Sequence, residues 1–156
     1  MSANRPIWKP NVTVAAVLEQ GGRFLLVEEH TDLGPMFNQP AGHLEPGESL
    51  LEGAVRETLE ETAYLFEPTA LLGVYQYHHA PKDTTYLRFA FVGKTTSHDA
   101  ARALDTGIIR AVWLTPEEIR RHGRRHRTPL VMRCIDDHLA GRRFPLDLIT
   151  HYRNLG

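Results

Sequence analysis

The stretch Gly42–Thr62, GHLEPGESLLEGAVRETLEET, constrains the fold more than any other part of the chain. Pro46-Gly47 is a turn pair, and Ser49 followed by Glu52 has the spacing of a capping box, so a helix is predicted to begin at about Leu50. At about 100° per residue, Leu50, Leu51, Ala54, Val55, Thr58 and Thr62 fall on one broad, mostly apolar arc. A stripe of that width must lie against another layer, and a sheet is the expected partner. Glu57, Glu60 and Glu61 stand at i, i+3 and i+4 on the border of the arc, so their side chains can reach one another.

Like charges at these spacings each disfavour a solvated helix by about 0.2–0.5 kcal/mol, and by more beside an apolar face, where screening is weaker. Arg56 can pair with Glu60 at i+4 or with Glu52 at i−4, but one guanidinium cannot neutralise six glutamates. A hard divalent cation can, since clustered carboxylate oxygens suit Mg²⁺ or Mn²⁺. Spacing alone leaves two readings open, a metal site and an ordinary solvated face.

The rest of the chain supplies the sheet. NVTVAAVL (11–18) and RFLLVE (23–28) flank Gly21-Gly22 and read as a hairpin. His30 to Pro40 reads as a surface loop with a short extended piece at Phe37-Asn38-Gln39. Ala70–His79 and Thr85–Gly93 read as two further strands, a polar segment follows over Lys94–Thr106, and Arg110–Leu114 is another strand. Thr115-Pro116-Glu117-Glu118 caps a short helix reaching about His122, and Thr128-Pro129 opens a longer one that ends near Gly141. At 156 residues this is one α/β domain, a mixed sheet with helices packed on its faces.

Composition excludes several functional classes. A net charge of −1 gives no whole-molecule attraction to nucleic acid or to an anionic membrane, so an anionic partner must be bound locally. The N-terminus is polar and broken by proline, and no apolar run approaches the roughly 18 residues that span a bilayer, so a cytoplasmic protein is expected. Cys134 is the only cysteine; it excludes an intrachain disulfide and a cysteine-built zinc site, and it reads as packing on a helix face.

The order Gly42, Glu48, Arg56-Glu57, Glu60-Glu61 resembles the box of the Nudix hydrolases, G-x5-E-x7-R-E-U-x-E-E-x-G-U with U a bulky apolar residue. The match covers residues 42–64, and the surrounding chain, 1–156, is expected to be a single Nudix domain with the α/β/α sandwich of that family. Two positions depart from the pattern. Thr58 stands at a U position, and Ala63 replaces the closing glycine, so the loop after the helix is expected to differ in shape.

The resemblance implies a Mg²⁺-dependent (alternatively Mn²⁺-dependent) phosphohydrolase. Glu57, Glu60 and Glu61 would be the metal ligands with the carbonyl of Gly42, while Arg56 and Glu48 would orient them. The general base would be Glu61 or, from outside the box, Asp105. Further runs, Lys9–Ala15, Met36–Glu45, Leu87-Arg88-Phe89 and Pro129 through Leu146, resemble a phosphatase branch of the family. That branch implies small diphosphate substrates: nucleoside tri- and diphosphates and hydroxymethylpyrimidine pyrophosphate, with release of phosphate. Hydrolysis of ADP-ribose or a nucleotide sugar is the alternative reaction. A Nudix-shaped module that binds a nucleotide without turnover is the alternative of another class.

Arg88 alternates with Leu87 and Phe89, so it faces either solvent or a cleft, where it would bind phosphate. His43, next to the box glycine, and Phe37 are candidate substrate contacts, and Trp8 and Tyr75 are aromatics that would either stack on a ring or pack in the core. His78-His79 reads as surface at a strand end. The run Arg120–Arg127 is the one dense basic stretch; it lacks interleaved aromatics, so it reads as a solvated face and nucleic acid is not expected as a partner. A monomer and a homodimer are both compatible with the sequence.

Overall fold

A computed structural model of the chain describes residues 4–153. Its first two strands, β1 (Asn11–Gln20) and β2 (Arg23–Thr31), form the expected hairpin. Gly21 and Gly22 sit at φ 58° and 77°, the left-handed pair that a tight two-residue turn with the native twist requires.

The expected loop over His30–Pro40 is instead more sheet. β2 continues to Thr31, and β3 (Gly34–Asn38) returns antiparallel to it, pairing Glu28 with Phe37 and Thr31 with Gly34. The polar turn residues mark only the corner, where Thr31 Oγ1 donates to the carbonyl of Gly34 at 2.6 Å and Gly34 takes φ 97°. β4 (Ala41–His43) then pairs with β1 and places Gly42 opposite Val14.

The acidic helix α1 spans Leu50–Thr62, and Ser49 Oγ accepts from the N–H of Glu52 at 3.1 Å. The side chain of Glu52 contacts Arg153. The buried stripe is narrower than the predicted arc: Gly53, Ala54, Thr58 and Thr62 are buried, with Glu57 and Glu61 beside them, while Leu50, Leu51 and Val55 are only half-buried. Thr58 and Thr62 are tolerated there because each hydroxyl donates back to the carbonyl four residues earlier, at 2.7 and 2.5 Å. Ala63 keeps the left-handed cap that a glycine would take, at φ 62° with its N–H on Leu59 O, so the turn is preserved at a cost of about 1 kcal/mol rather than reshaped.

β5 (Tyr64–His79) and β6 (Thr84–His98) are both longer than predicted, pairing from Tyr64↔His98 to His79↔Thr84. The polar stretch after Gly93 is therefore strand as far as His98. Pro68 lies beside a register shift in β5, an edge strand, where its missing N–H is harmless. β7 (Ile108–Leu114), α2 (Pro116–Arg121) with both halves of the Thr115/Glu118 capping box, and α3 (Leu130–Leu139) follow, and Gly141 closes α3 at φ 81°.

The sheet runs β3-β2-β1-β6-β5, with β4 on β1 and β7 on β2. β1 and β6 are parallel and the other pairs antiparallel. Alternation along β1 divides the core in two. Val14, Ala16 and Leu18 pack with Ala54 of α1, whereas Ala15 and Val17 pack with Val131, Cys134 and Ile135 of α3. The architecture is the expected α/β/α sandwich with a mixed sheet. Cys134 is fully buried and burial pushes its thiol up, which fits inert packing.

Candidate active site

Arg56 is the hub of the acidic helix. Its Nε and Nη2 grip the carboxylate of Glu48 at 2.9 and 2.7 Å, and Nη1 reaches Glu57 Oε1 at 2.8 Å and Glu60 Oε2 at 3.2 Å. Nη2 also donates to the carbonyl of His43 at 3.1 Å, tying the helix to β4. The i−4 pairing with Glu52 is not made; Glu48, in the turn before the helix, takes that place. The bidentate bond from Arg56 holds the Glu48 carboxyl below its ordinary range against the opposing effect of burial.

Glu57 and Glu61 are 8% and 7% exposed. Burial pushes Glu57 up, opposed by Arg56 and reinforced by repulsion from Glu60 and Asp105. Burial pushes Glu61 up to about 8, opposed by the N–H of Ala41 at 2.8 Å and reinforced by Glu57, Glu29 and Asp105. Gly42 makes this packing possible, because a Cβ there would lie 2.2 Å from the Glu57 carboxylate.

The donors offered here are carboxylate and carbonyl oxygens, the set a hard dication prefers. Their repulsion and desolvation would be relieved by such an ion, so the residues fit one. Among the described residues, however, no three acidic, histidine or cysteine side chains are already grouped for ligation. Arg56 binds one oxygen each of Glu57 and Glu60, and the N–H of Ala41 binds one of Glu61, so a cation would draw the three together through their other oxygens.

A cleft of about 220 Å³ adjoins the acidic helix across β4, which lines it with Ala41, Gly42 and His43. Arg88 lines this cleft and does not face open solvent; it is 5% exposed, with Nη1 on Gln39 Oε1 and Nη2 on Asn38 Oδ1, both at 2.9 Å. His43 is exposed at the rim, within 3.3 Å of Asn11 Nδ2 and facing Tyr86. His79 lines the cleft as well, while His78 pairs with Asp83. Asp105 is exposed, and its N–H donates to Glu60 O at 2.8 Å, placing it at the C-terminal end of α1.

Phe37, expected as a substrate contact, is not among the cleft residues: it is 1% exposed and packs in the core, its ring close to His122 and the Arg125 guanidinium. Its alternation in β3 sends it inward, while Asn38 beside it lines the cleft. Tyr75 is likewise core, its hydroxyl donating to Asp137 at 2.7 Å, and Trp8 is 69% exposed and not among the cleft residues. The basic run is largely exposed, as expected, but part of it is paired: Arg120 with Asp136, Arg125 with Glu28 and Arg127 with Glu29.

Sequence reasoning missed Glu29, Arg127, Tyr77 and Tyr86, which all line the cleft. Glu29 Oε1 is buried without a hydrogen bond; Arg127 Nη1 approaches it at 2.8 Å, so the pair is joined by charge and not by an aligned N–H. The only hint of Glu29 in the sequence is an acidic pair ending an apolar strand, and the register shift between Glu28 and Glu29 that aims it is invisible there.

A sandwich with this loop, helix and cleft defines a class, and the comparisons agree with it. A family model of the NUDIX domain matches residues 8–134, and the chain belongs to the Nudix hydrolase family. Among curated relatives, the Phosphatase NudJ of Shigella boydii is 38% identical over 146 residues, which is 94% of either chain. The Phosphatase NudJ of Escherichia coli strain K12 shows the same identity and coverage. Among solved structures, a NUDIX hydrolase from Nitrosomonas europaea is 54% identical, with a TM-score of 0.91 over 92% of this chain and 98% of that one. Nudix hydrolases as a family use divalent metal ions and act on small diphosphate compounds. No helix among the described residues is long and apolar enough to cross a membrane.

Proposed function

We propose that residues 1–156 form one cytoplasmic phosphohydrolase domain that acts on small diphosphate compounds with Mg²⁺, or alternatively Mn²⁺. The substrates are those expected of a NudJ-like phosphatase: nucleoside tri- and diphosphates and hydroxymethylpyrimidine pyrophosphate, with release of inorganic phosphate. The observation that carries the reading is the adjacency of a buried carboxylate group on α1 to a cleft holding a buried arginine, with Gly42 common to both.

In this reading Glu57, Glu60, Glu61 and the carbonyl of Gly42 would hold the metal, which would neutralise phosphate charge and lower the pKa of water. Glu48 fixes Arg56, and Arg56 binds one oxygen each of Glu57 and Glu60, leaving the other for the metal. Glu61 accepts the proton of the attacking water, with Asp105 as the other acceptor within electrostatic reach of the cluster. Arg88 binds a phosphate in the cleft, and His43 contacts the substrate from the rim.

The test is a screen of nucleotides, sugar nucleotides and thiamine precursors with Mg²⁺, reading products. Free phosphate supports this function. AMP with a sugar phosphate replaces it with a nucleotide-sugar pyrophosphatase, and binding without products replaces it with a non-catalytic module.

A further inference from the structure

Arg88 is a buried cation with no acidic partner among the described residues; its hydrogen bonds go to two neutral amide oxygens, those of Asn38 and Gln39. Other buried or half-buried arginines of the fold, Arg56 and Arg125, sit on carboxylates. A guanidinium held by amides keeps its full charge for a ligand, whereas one held by a carboxylate does not.

Gln39 fixes this arrangement. It is 1% exposed, and its Nε2 donates to the carbonyl of Val131 in α3 at 2.8 Å. With the nitrogen committed to a carbonyl, the oxygen must face Arg88. The segment around it cannot drift: Phe37 O accepts from Arg127 N at 2.8 Å and Pro40 O from Ala16 N at 3.0 Å.

We propose that Gln39 is a positioning residue of the active site, which holds Arg88 uncompensated in the cleft so that the arginine grips a phosphate of the substrate. The proposal rests on the diphosphate reading above. A glutamate at position 39 would still accept from Arg88 but would neutralise it and leave Val131 O without its donor. A methionine would preserve volume and remove both bonds.

The test compares wild type with Gln39→Met and Gln39→Glu on whichever diphosphate the wild type turns over, together with inhibition by methylenediphosphonate. Gln39→Met should raise KM roughly 10-fold with kcat within about twofold, since charge remains and only orientation is lost. Gln39→Glu should raise KM and weaken the inhibitor further. In an Arg88→Lys background, Gln39→Met should add less than about twofold, because the two side chains act through one contact. Folded variants with unchanged KM, or with lowered thermal stability and kcat at constant KM, overturn the proposal by assigning Gln39 a purely structural role. If either Gln39 variant fails to fold, Asn38→Ala reads the same clamp from its half-buried side, and a folded Asn38→Ala protein with wild-type KM refutes it. Wild-type protein that neither hydrolyses nor binds the diphosphates removes the functional reading and this inference together, while active wild type with indifferent variants removes the inference alone.

Discussion

Gly42→Ala is the sharpest test of the site, because one methyl separates a structural glycine from a catalytic one. The added Cβ would lie 2.2 Å from both Cδ and Oε1 of Glu57 and 2.4 Å from Oε2. Ordinary contact needs about 3.5 Å, so the carboxylate must retreat by more than about 1 Å. Its escape is restricted: Arg56 Nη1 holds Oε1 at 2.8 Å, and the residue is 8% exposed. The backbone suffers little, because Gly42 does not occupy the left-handed region.

The strain therefore falls on the end of a side chain, and the fold should lose no more than about 1–2 kcal/mol. Activity should fall about 100-fold, the scale of a 1 Å misplacement in a catalytic group. Thermal unfolding and steady-state kinetics with Mg²⁺ on the same preparation separate the two effects. A Gly42→Ala protein that keeps more than about a tenth of wild-type kcat/KM would refute the reasoning, since Glu57 would then not need its present place. A protein that unfolds outright would show the glycine to be needed for pairing of β4 with β1.

Three further outcomes follow from the same geometry. Gly93→Ala puts a Cβ 2.0 Å from the backbone carbonyl of Glu67 across the β5–β6 pair, which cannot swing away, so urea denaturation should show a loss of about 3 kcal/mol. Tyr75→Phe removes the donor to Asp137 Oδ2 and should cost about 1–2 kcal/mol. Burial pushes the Asp137 carboxyl up, but Tyr75 and Arg133 outweigh it and hold it below the usual value. Its stabilisation is thus present above the unfolded value and lost as pH falls through the folded one, and the Tyr75→Phe protein should show a shallower loss across that acid limb. Glu61 has the opposite sign: its folded value lies near 8, so its charge penalises the fold fully above that pH and not at all once both states are protonated. Metal-free Glu61→Gln should therefore unfold at a higher temperature than wild type at pH 8.5, with the gap closing as pH falls toward about 4.5; a gap that does not depend on pH would show that Glu61 is not ionised under strain.

What the sequence disclosed was local. Ser49, the Thr115/Glu118 box and Gly141 each act within one turn of the backbone they cap, so three helices could be bounded from neighbouring residues alone. The Gly21-Gly22 hairpin was legible for the same reason. The β3 strand was not, because Thr31-Asp32-Leu33-Gly34 carries the turn chemistry of a loop and only pairing with β2 shows how short that turn is. The partners of the basic run were out of reach altogether, since Arg125 and Arg127 meet Glu28 and Glu29 across roughly a hundred residues of chain.

The acidic helix shows why a correct motif can still be misplaced by hydropathy. Weighting by apolar character centres the stripe near its leucines and leaves the glutamates at a wet border. The observed stripe is centred on Gly53, Ala54 and Thr58, residues small enough to let α1 settle close to β1; a Cβ on Gly53 would already meet Val14 Cγ2 at 3.2 Å and Glu48 Oε1 at 2.9 Å. Close approach draws Glu57 and Glu61 below the surface, where burial and mutual repulsion raise both. A helix selected only for stability would place such carboxylates outward or replace them, so local rules fail here in the direction expected of a site that must receive positive charge. The departure from the amphipathic pattern and the capacity to hold a dication thus have one cause, the small residues that bring the helix down onto the sheet.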